Sequence, residues 1–198
     1  MYSFESHVWN DGKRKKLLKR TGSEVNTLCG DQLRDFLSLC LAEATYFTFR
    51  RETFDLCDSG LEDALGKYLI GKTRRKLWFG YDLRRAPEGS ERSLDIYKYE
   101  AAPEVLDIFL HFFSDIFLRR KVDGVWRETM STLTDLCFFS GNDLFVGTVS
   151  HAYILEVYTT NKSLAKSIRK SGRWKHISDR KCVPPFDMSV IEDSSDHT

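Results

Sequence analysis

The chain has 198 residues, of which 41% are hydrophobic, 30% charged and 13% aromatic. That length and balance fit one soluble globular domain able to bury roughly 70% of its unfolded surface without a metal or disulfide scaffold. With 30 basic against 29 acidic residues the net charge is +1, so no global field argues for a polyanionic or an acidic partner.

Residues 1–30 are polar and hold six basic residues between Lys13 and Arg20, which reads as a basic arm or a loosely attached first element. No apolar run there suits an export signal. From Asp31 the period becomes helical: Leu33, Phe36, Leu37, Cys40, Ala44 and Phe47 fall on one stripe, with Asp31 near the N-cap. A second, shorter helix is expected from Ser59 to Ile70. Glu62 and Asp63 suit its first turn and Gly71 its C′ position. The runs KLWFGYDL and RSLDIYKYE flank a Pro/Gly/Ser turn and read as a hairpin.

Pro103 opens the most apolar segment, VLDIFLHFFSDIFL, where Val105, Phe109, Phe112, Phe113, Ile116 and Phe117 share a wide stripe. Asp107, His111 and Asp115 interrupt it, so it is too short an apolar run to span a membrane. Val122-Asp-Gly-Val125 and Ser140-Gly-Asn-Asp143 are turns, and residues 129–138 fit either helix or strand. LFVGTVSHAYILEVYTT is expected to form two strands, or one bent strand, with the bend near Gly147 or Ser150. Asn161 caps a last helix and Gly172 ends it; residues 184–198 form a loose acidic tail. The expected organisation is a single α+β domain over 31–183, with amphipathic helices packed on antiparallel hairpins.

The stretch GKYLIGKT (66–73) matches the phosphate-loop pattern G-x-x-x-x-G-K-[ST]. Such a loop must leave a buried strand and open into a helix. Here a helix-like segment precedes it and a strand-like one follows, so the match reads as a helix C-cap and no nucleotide is expected.

Asp107, His111 and Asp115 fall at i, i+4 and i+8, a spacing that lets neighbours share a metal ion. A solvated helix face explains the same spacing, and no metal or other cofactor is assigned. His151, at a predicted bend with Glu156 downstream, is a candidate general base, yet no nucleophile motif accompanies it. No catalytic residue is assigned and no enzyme is expected. The basic runs Lys13–Arg20, Arg74–Lys76, Arg119–Lys121 and Lys162–Lys175, set beside Trp78, Tyr97 and Trp174, would grip a nucleic-acid backbone if folding gathered them. Arg74, Arg75, Trp78, Tyr81, Tyr97 and Tyr99 are the residue types that anchor protein interfaces, and they form the expected partner-binding surface. The five cysteines are odd in number and lack C-x-x-C spacing. Cys40 and Cys137 lie in apolar surroundings, which favours a reducing cytoplasm.

The segment DLFVGTVSHAYILEVYTTNKSLAKSIRKSGRWK (143–175) resembles the C-terminal part of small cytoplasmic α+β proteins that serve as bacterial toxin-immunity partners. In these a strand ends near a T-x-S/T-H turn and leads to a second strand and a short helix. Many carry Glu after the His, where this chain has Ala152. The resemblance spans about a sixth of the chain. It implies a cytoplasmic, non-enzymatic inhibitor that binds a cognate toxin and occludes its active site. The alternative is a nucleic-acid-binding accessory protein.

Overall fold

A computed structural model describes residues 2–6, 28–52, 60–82, 93–123, 125–128, 131–171 and 174–176. In chain order the elements are β1 (Tyr2–Ser6), α1 (Asp31–Glu43), β2 (Tyr46–Arg51), α2 (Leu61–Leu65), β3 (Leu69–Arg75), β4 (Leu77–Trp78), β5 (Tyr81–Asp82) and β6 (Leu94–Glu100). There follow α3 (Val105–Phe112), β7 (Arg119–Val122), β8 (Val125–Glu128), β9 (Leu133–Ser140), β10 (Asp143–Val149), β11 (Ile154–Thr159), α4 (Lys162–Ser171) and β12 (Trp174–His176). Eight strands form one antiparallel sheet in the order β12-β1-β11-β10-β9-β2-β6-β3, and β4–β5 and β7–β8 are separate two-stranded ribbons. The α+β class expected from the sequence is the class observed.

Alternation along the strands sends side chains to two apolar layers. Phe47 and Phe49 of β2, Tyr97 and Tyr99 of β6 and Phe138 of β9 join the helices in the larger core. Phe47 stacks on Tyr99 at 5.3 Å and meets Phe109 of α3 edge-on at 5.2 Å. The opposite face carries Tyr46, Ile96, Cys137, Phe139 and Val149, and the β4–β5 ribbon covers it with Trp78 and Phe79. Gly147 and Gly80 make this seat possible. A Cβ on Gly147 would stand 2.8 Å from the Phe79 ring, and one on Gly80 (φ +78°) 2.3 Å from Val149. Glycine serves where backbone must approach closely or turn left-handed.

Several expected boundaries move. α1 stops at Glu43, because Ala44 is extended and the aromatic, β-branched run Tyr46-Phe-Thr-Phe49 joins the sheet. Phe47 therefore belongs to a strand, though it continued the helical period. The helix expected over 59–70 is only Leu61–Leu65 plus a 3₁₀ turn, Gly66–Tyr68. Gly71 lies inside β3 and caps nothing. The chain does run helix first, then strand, through GKYLIGKT, the reverse of a phosphate loop. The two aromatic runs do not pair with each other: KLWFGYDL folds on itself as β4–β5, and β6 pairs with β3, LIGKTRR. α3 ends at Phe112, with Phe113 extended, so Phe113, Ile116 and Phe117 are buried from a turn rather than a helix. Residues 133–140 are strand, and the bend after β10 falls at Ser150. Asn161 Oδ1 accepts the N–H groups of Ser163 and Leu164 at 3.0 and 3.1 Å, capping α4 as expected. Tyr2–Ser6 is no loose arm: it lies between β11 and β12. The basic run 13–20, Gly172 and the tail 184–198 lie outside the described residues. Among the described residues no helix is long and apolar enough to cross a membrane.

Candidate functional site

The site begins with a defect in a strand. Between β2 and β9 the register slips by one residue, from Thr48↔Cys137 to Arg50↔Thr134. The extra residue sits on β9, where Asp135 adopts φ +56° and is fully buried. The slip lets Leu133 face the helices together with Leu136 and Phe138, across an odd interval that a regular strand forbids. Bulges of this kind re-aim side chains beside functional sites.

Asp135 is held by three elements. Its Oδ2 accepts Arg50 Nε of β2 at 2.6 Å and the hydroxyl of Tyr81, from β5, at 2.8 Å. Its Oδ1 accepts the Ser150 N–H at 2.7 Å, and its own N–H donates to Ser150 Oγ at 3.2 Å. Arg50 also donates to Glu52 and lies 4.7 Å over the Tyr81 ring. Burial disfavours the Arg50 cation, but the charge and hydrogen bond of Asp135 outweigh it, and its pKa rises. The Tyr81 hydroxyl is pushed well above the phenol range by burial, then by the charge and hydrogen bond of Asp135. Tyr81 thus keeps its proton and donates it to Asp135. Toward His151 Nδ1, 3.1 Å away, it can only accept, so Nδ1 carries the hydrogen.

A second ion pair stands across the cleft. Asp115, fully buried, accepts the N–H groups of Phe117 and Arg119 at 3.0 Å each through Oδ1, and Arg119 Nε at 2.7 Å and Nη2 at 2.5 Å through Oδ2. The Arg119 guanidinium lies 4.9 Å over the Tyr153 ring. Between the two pairs is a cavity of about 110 Å³, lined by Arg50, Glu52, Arg119, Thr134, Asp135, Ser150, His151 and Tyr153 with Phe117, Leu118 and Leu133. Of the four described non-glycine residues with positive φ, three line it: Leu118 (+60°), Asp135 and Tyr153 (+55°). The fourth, Asp123, belongs to the β7–β8 turn. Left-handed non-glycine backbone concentrates where surrounding structure imposes it for a purpose.

Asp135 accepts from three donors and Asp115 from four, so Asp115 is saturated and Asp135 keeps about one acceptor site. Ser150 Oγ accepts from the Asp135 N–H, and His151 Nδ1 is turned to Tyr81. Ligand pockets for drug-sized molecules run to about 300–1,000 Å³. A cavity of about 110 Å³ admits the tip of a side chain or a small ion.

Of the expected interface residues none lines this cavity; Tyr81 touches its wall from behind, through Asp135 and His151. Trp78 is buried at 2% exposure in the smaller core, and Tyr97 and Tyr99 are buried in the larger one. Arg74 is exposed and pairs with Asp95 at 3.0 Å; with Arg51, Lys72 and Tyr97 it borders an open hollow of about 400 Å³. Arg75 stands half-buried at the end of β3. The stacking platform for nucleic acid is not assembled from the expected rings, since Trp78 and Tyr97 are buried and Trp174 packs on Phe36 at 5.6 Å. The Asp107/His111/Asp115 line is broken: α3 ends at Phe112, leaving the first two exposed on the helix while Asp115 turns inward to Arg119. Among the described residues no three metal-ligating side chains converge. His151 does sit at a bend, but its partner is Tyr81, whereas Glu156 bonds to Tyr158. The sequence reading passes over Arg50 and Asp135 and takes Arg119 only as part of a basic run. The available signal was a lone acid inside an apolar run, LTDLCFF and FSDIF.

No family model, no curated relative and no solved structure matches the chain.

Proposed function

We propose that this protein acts by binding another protein, as an immunity-type inhibitor that occludes the active site of a cognate toxin. The docking point in this reading is the cavity between the Arg50–Asp135 and Arg119–Asp115 pairs. The supporting observation is that both buried carboxylates brace the cleft, Asp135 accepting from Arg50, Tyr81 and the Ser150 N–H and Asp115 from Arg119 and two backbone amides. The cleft is therefore preformed, which lowers the ordering cost of association. Its walls offer Arg and Tyr, the residue types that dominate binding energy when desolvated. The resemblance of residues 143–175 to immunity partners supplies the class of target.

The test compares two baits in affinity capture from cells of the source organism: wild-type protein and a Ser150→Ala/His151→Ala double variant that a cooperative thermal melt shows to be folded at the capture temperature. A protein enriched by the first bait and lost from the second is then co-expressed with each. Growth arrest relieved by the wild type alone supports the reading. Equal capture by both baits removes the cavity as docking point, and a captured protein that arrests no growth removes the inhibitor role.

A further inference from the structure

Resting on the reading of the cavity as a docking pocket, we propose that the group it takes is a carboxylate. The formal charges around the cavity nearly cancel: Arg50 and Arg119 face Asp135 and Glu52, with Asp115 behind Arg119. Net charge does not choose the ligand; the inventory of hydrogen-bonding groups does.

An arginine has five N–H donors. Arg50 gives one to Asp135 from Nε and one to Glu52 from Nη2, so five less two leaves three at a residue lining the cavity. The Ser150 hydroxyl accepts from the Asp135 N–H and keeps its own proton to donate. Against these donors the buried acids offer little. Asp135 is turned to the inner edge of Arg50, Tyr81 and the Ser150 backbone, and Asp115 to Arg119 and two amides. Glu52, at the mouth, already accepts from Arg50. An entering group that brings acceptors can meet the Arg50 N–H and Ser150 O–H ends, while Glu52 and His151 Nε2 are the acceptors that remain in the lining. A guanidinium held on one edge by a buried acid presents its other edge in fixed orientation, and planar two-oxygen groups match that geometry. The volume of about 110 Å³ suits a carboxylate on a short stem and is too small for a nucleotide.

The test uses full-length protein and four small probes: sodium acetate, methylguanidinium chloride, acetamide, and sodium chloride at matched ionic strength. Two-dimensional NMR follows the Arg50 Nε–H and the amides of Asp135 and Ser150. Acetate is expected to shift these signals saturably, with a dissociation constant on the order of millimolar for so few atoms. Glu52→Gln, which removes the one negative charge at the mouth, is expected to tighten acetate severalfold. Ser150→Ala is expected to weaken it about three- to tenfold. Equal shifts with chloride, binding of methylguanidinium or acetamide in place of acetate, or no saturable binding at all would each overturn the carboxylate assignment. The docking reading itself stands or falls on the capture experiment, which does not depend on these probes. Capture lost from the double variant with acetate silent refutes the ligand class alone; capture unchanged refutes the pocket.

Discussion

Asp135→Asn isolates the charge at the centre of the site. Asparagine tolerates the left-handed conformation nearly as well as aspartate, so the φ of +56° adds little to the cost. The amide keeps one acceptor oxygen but replaces the other with a donor. If that oxygen faces Arg50 Nε and the Tyr81 hydroxyl, the new NH₂ opposes the Ser150 N–H; if it is flipped, the NH₂ opposes Arg50. Removing one partner of a buried ion pair costs about 3–5 kcal/mol. Arg50 retains Glu52 and is 11% exposed at its side chain, which places the expectation at the low end, about 3 kcal/mol. With a urea slope of about 2–3 kcal/mol/M, the unfolding midpoint should fall by about 1 M. A cycle with Tyr81→Phe adds a second reading. Its hydroxyl donates to the same Oδ2, so the two changes should be non-additive, the double variant costing less than the sum. A loss below about 1 kcal/mol, the value of an exposed pair, would show that Asp135 does not brace the cleft.

Three further outcomes follow from the packing. Gly147→Ala should cost about 1–3 kcal/mol by overpacking, because its Cβ would stand 2.8 Å from Phe79. It should also lift the β4–β5 ribbon and weaken the Tyr81–His151 contact, read as a change at the His151 ring in NMR. Alkaline titration should destabilise the fold over a defined window. Burial pushes the Cys137 thiol up from 9.0 to about 12 and the Tyr46 hydroxyl up from 10.0 to about 12. The unfolded chain then releases these protons first, so the stabilisation is complete below about pH 9 and lost as the pH approaches 12. A urea midpoint flat from pH 8 to 11 would contradict this burial. Iodoacetamide should label exposed Cys29 in the native protein, and Cys40 and Cys137 only after unfolding, as peptide mass spectrometry would report.

What the sequence disclosed was local. The stripe Leu33, Phe36, Leu37 and Cys40, the Asn161 cap and the bend at Ser150, one of the two expected places, rest on periodicity and short-range hydrogen bonding. What it hid was pairing. Nothing within LIGKTRR says that Arg75 will oppose Leu94 and Lys72 oppose Tyr97, or that Phe79 will find Gly147. Three rings of the expected aromatic surface, Trp78, Tyr97 and Tyr99, are buried for that reason: one strand face had to enter a core, and the layer on each side of the sheet took its share. The cavity was invisible for a stronger reason. Arg50 and Asp135 are 85 residues apart in sequence and Tyr81 and His151 are 70 apart, so the site exists only once the sheet order is known.

The two ion pairs differ in what they hold. Asp115 and Arg119 are four residues apart, and Asp115 also accepts two nearby backbone amides, so this pair fixes a turn within one segment. Asp135 joins β2, the β5 ribbon and the turn after β10, so this pair fixes the distance between segments. Left-handed backbone at Leu118, Asp135 and Tyr153 costs on the order of 1–3 kcal/mol at each residue, and a buried ion pair gives little net stability in return. A sequence shaped for stability alone would place glycine or a regular strand here and fill the gap with apolar side chains. Instead the strained backbone turns three lining residues toward one small cavity, and the charge pairs keep that cavity open and polar. Strain and buried charge together are a cost that packing does not explain, and they meet at the cavity that the proposed function assigns to a partner.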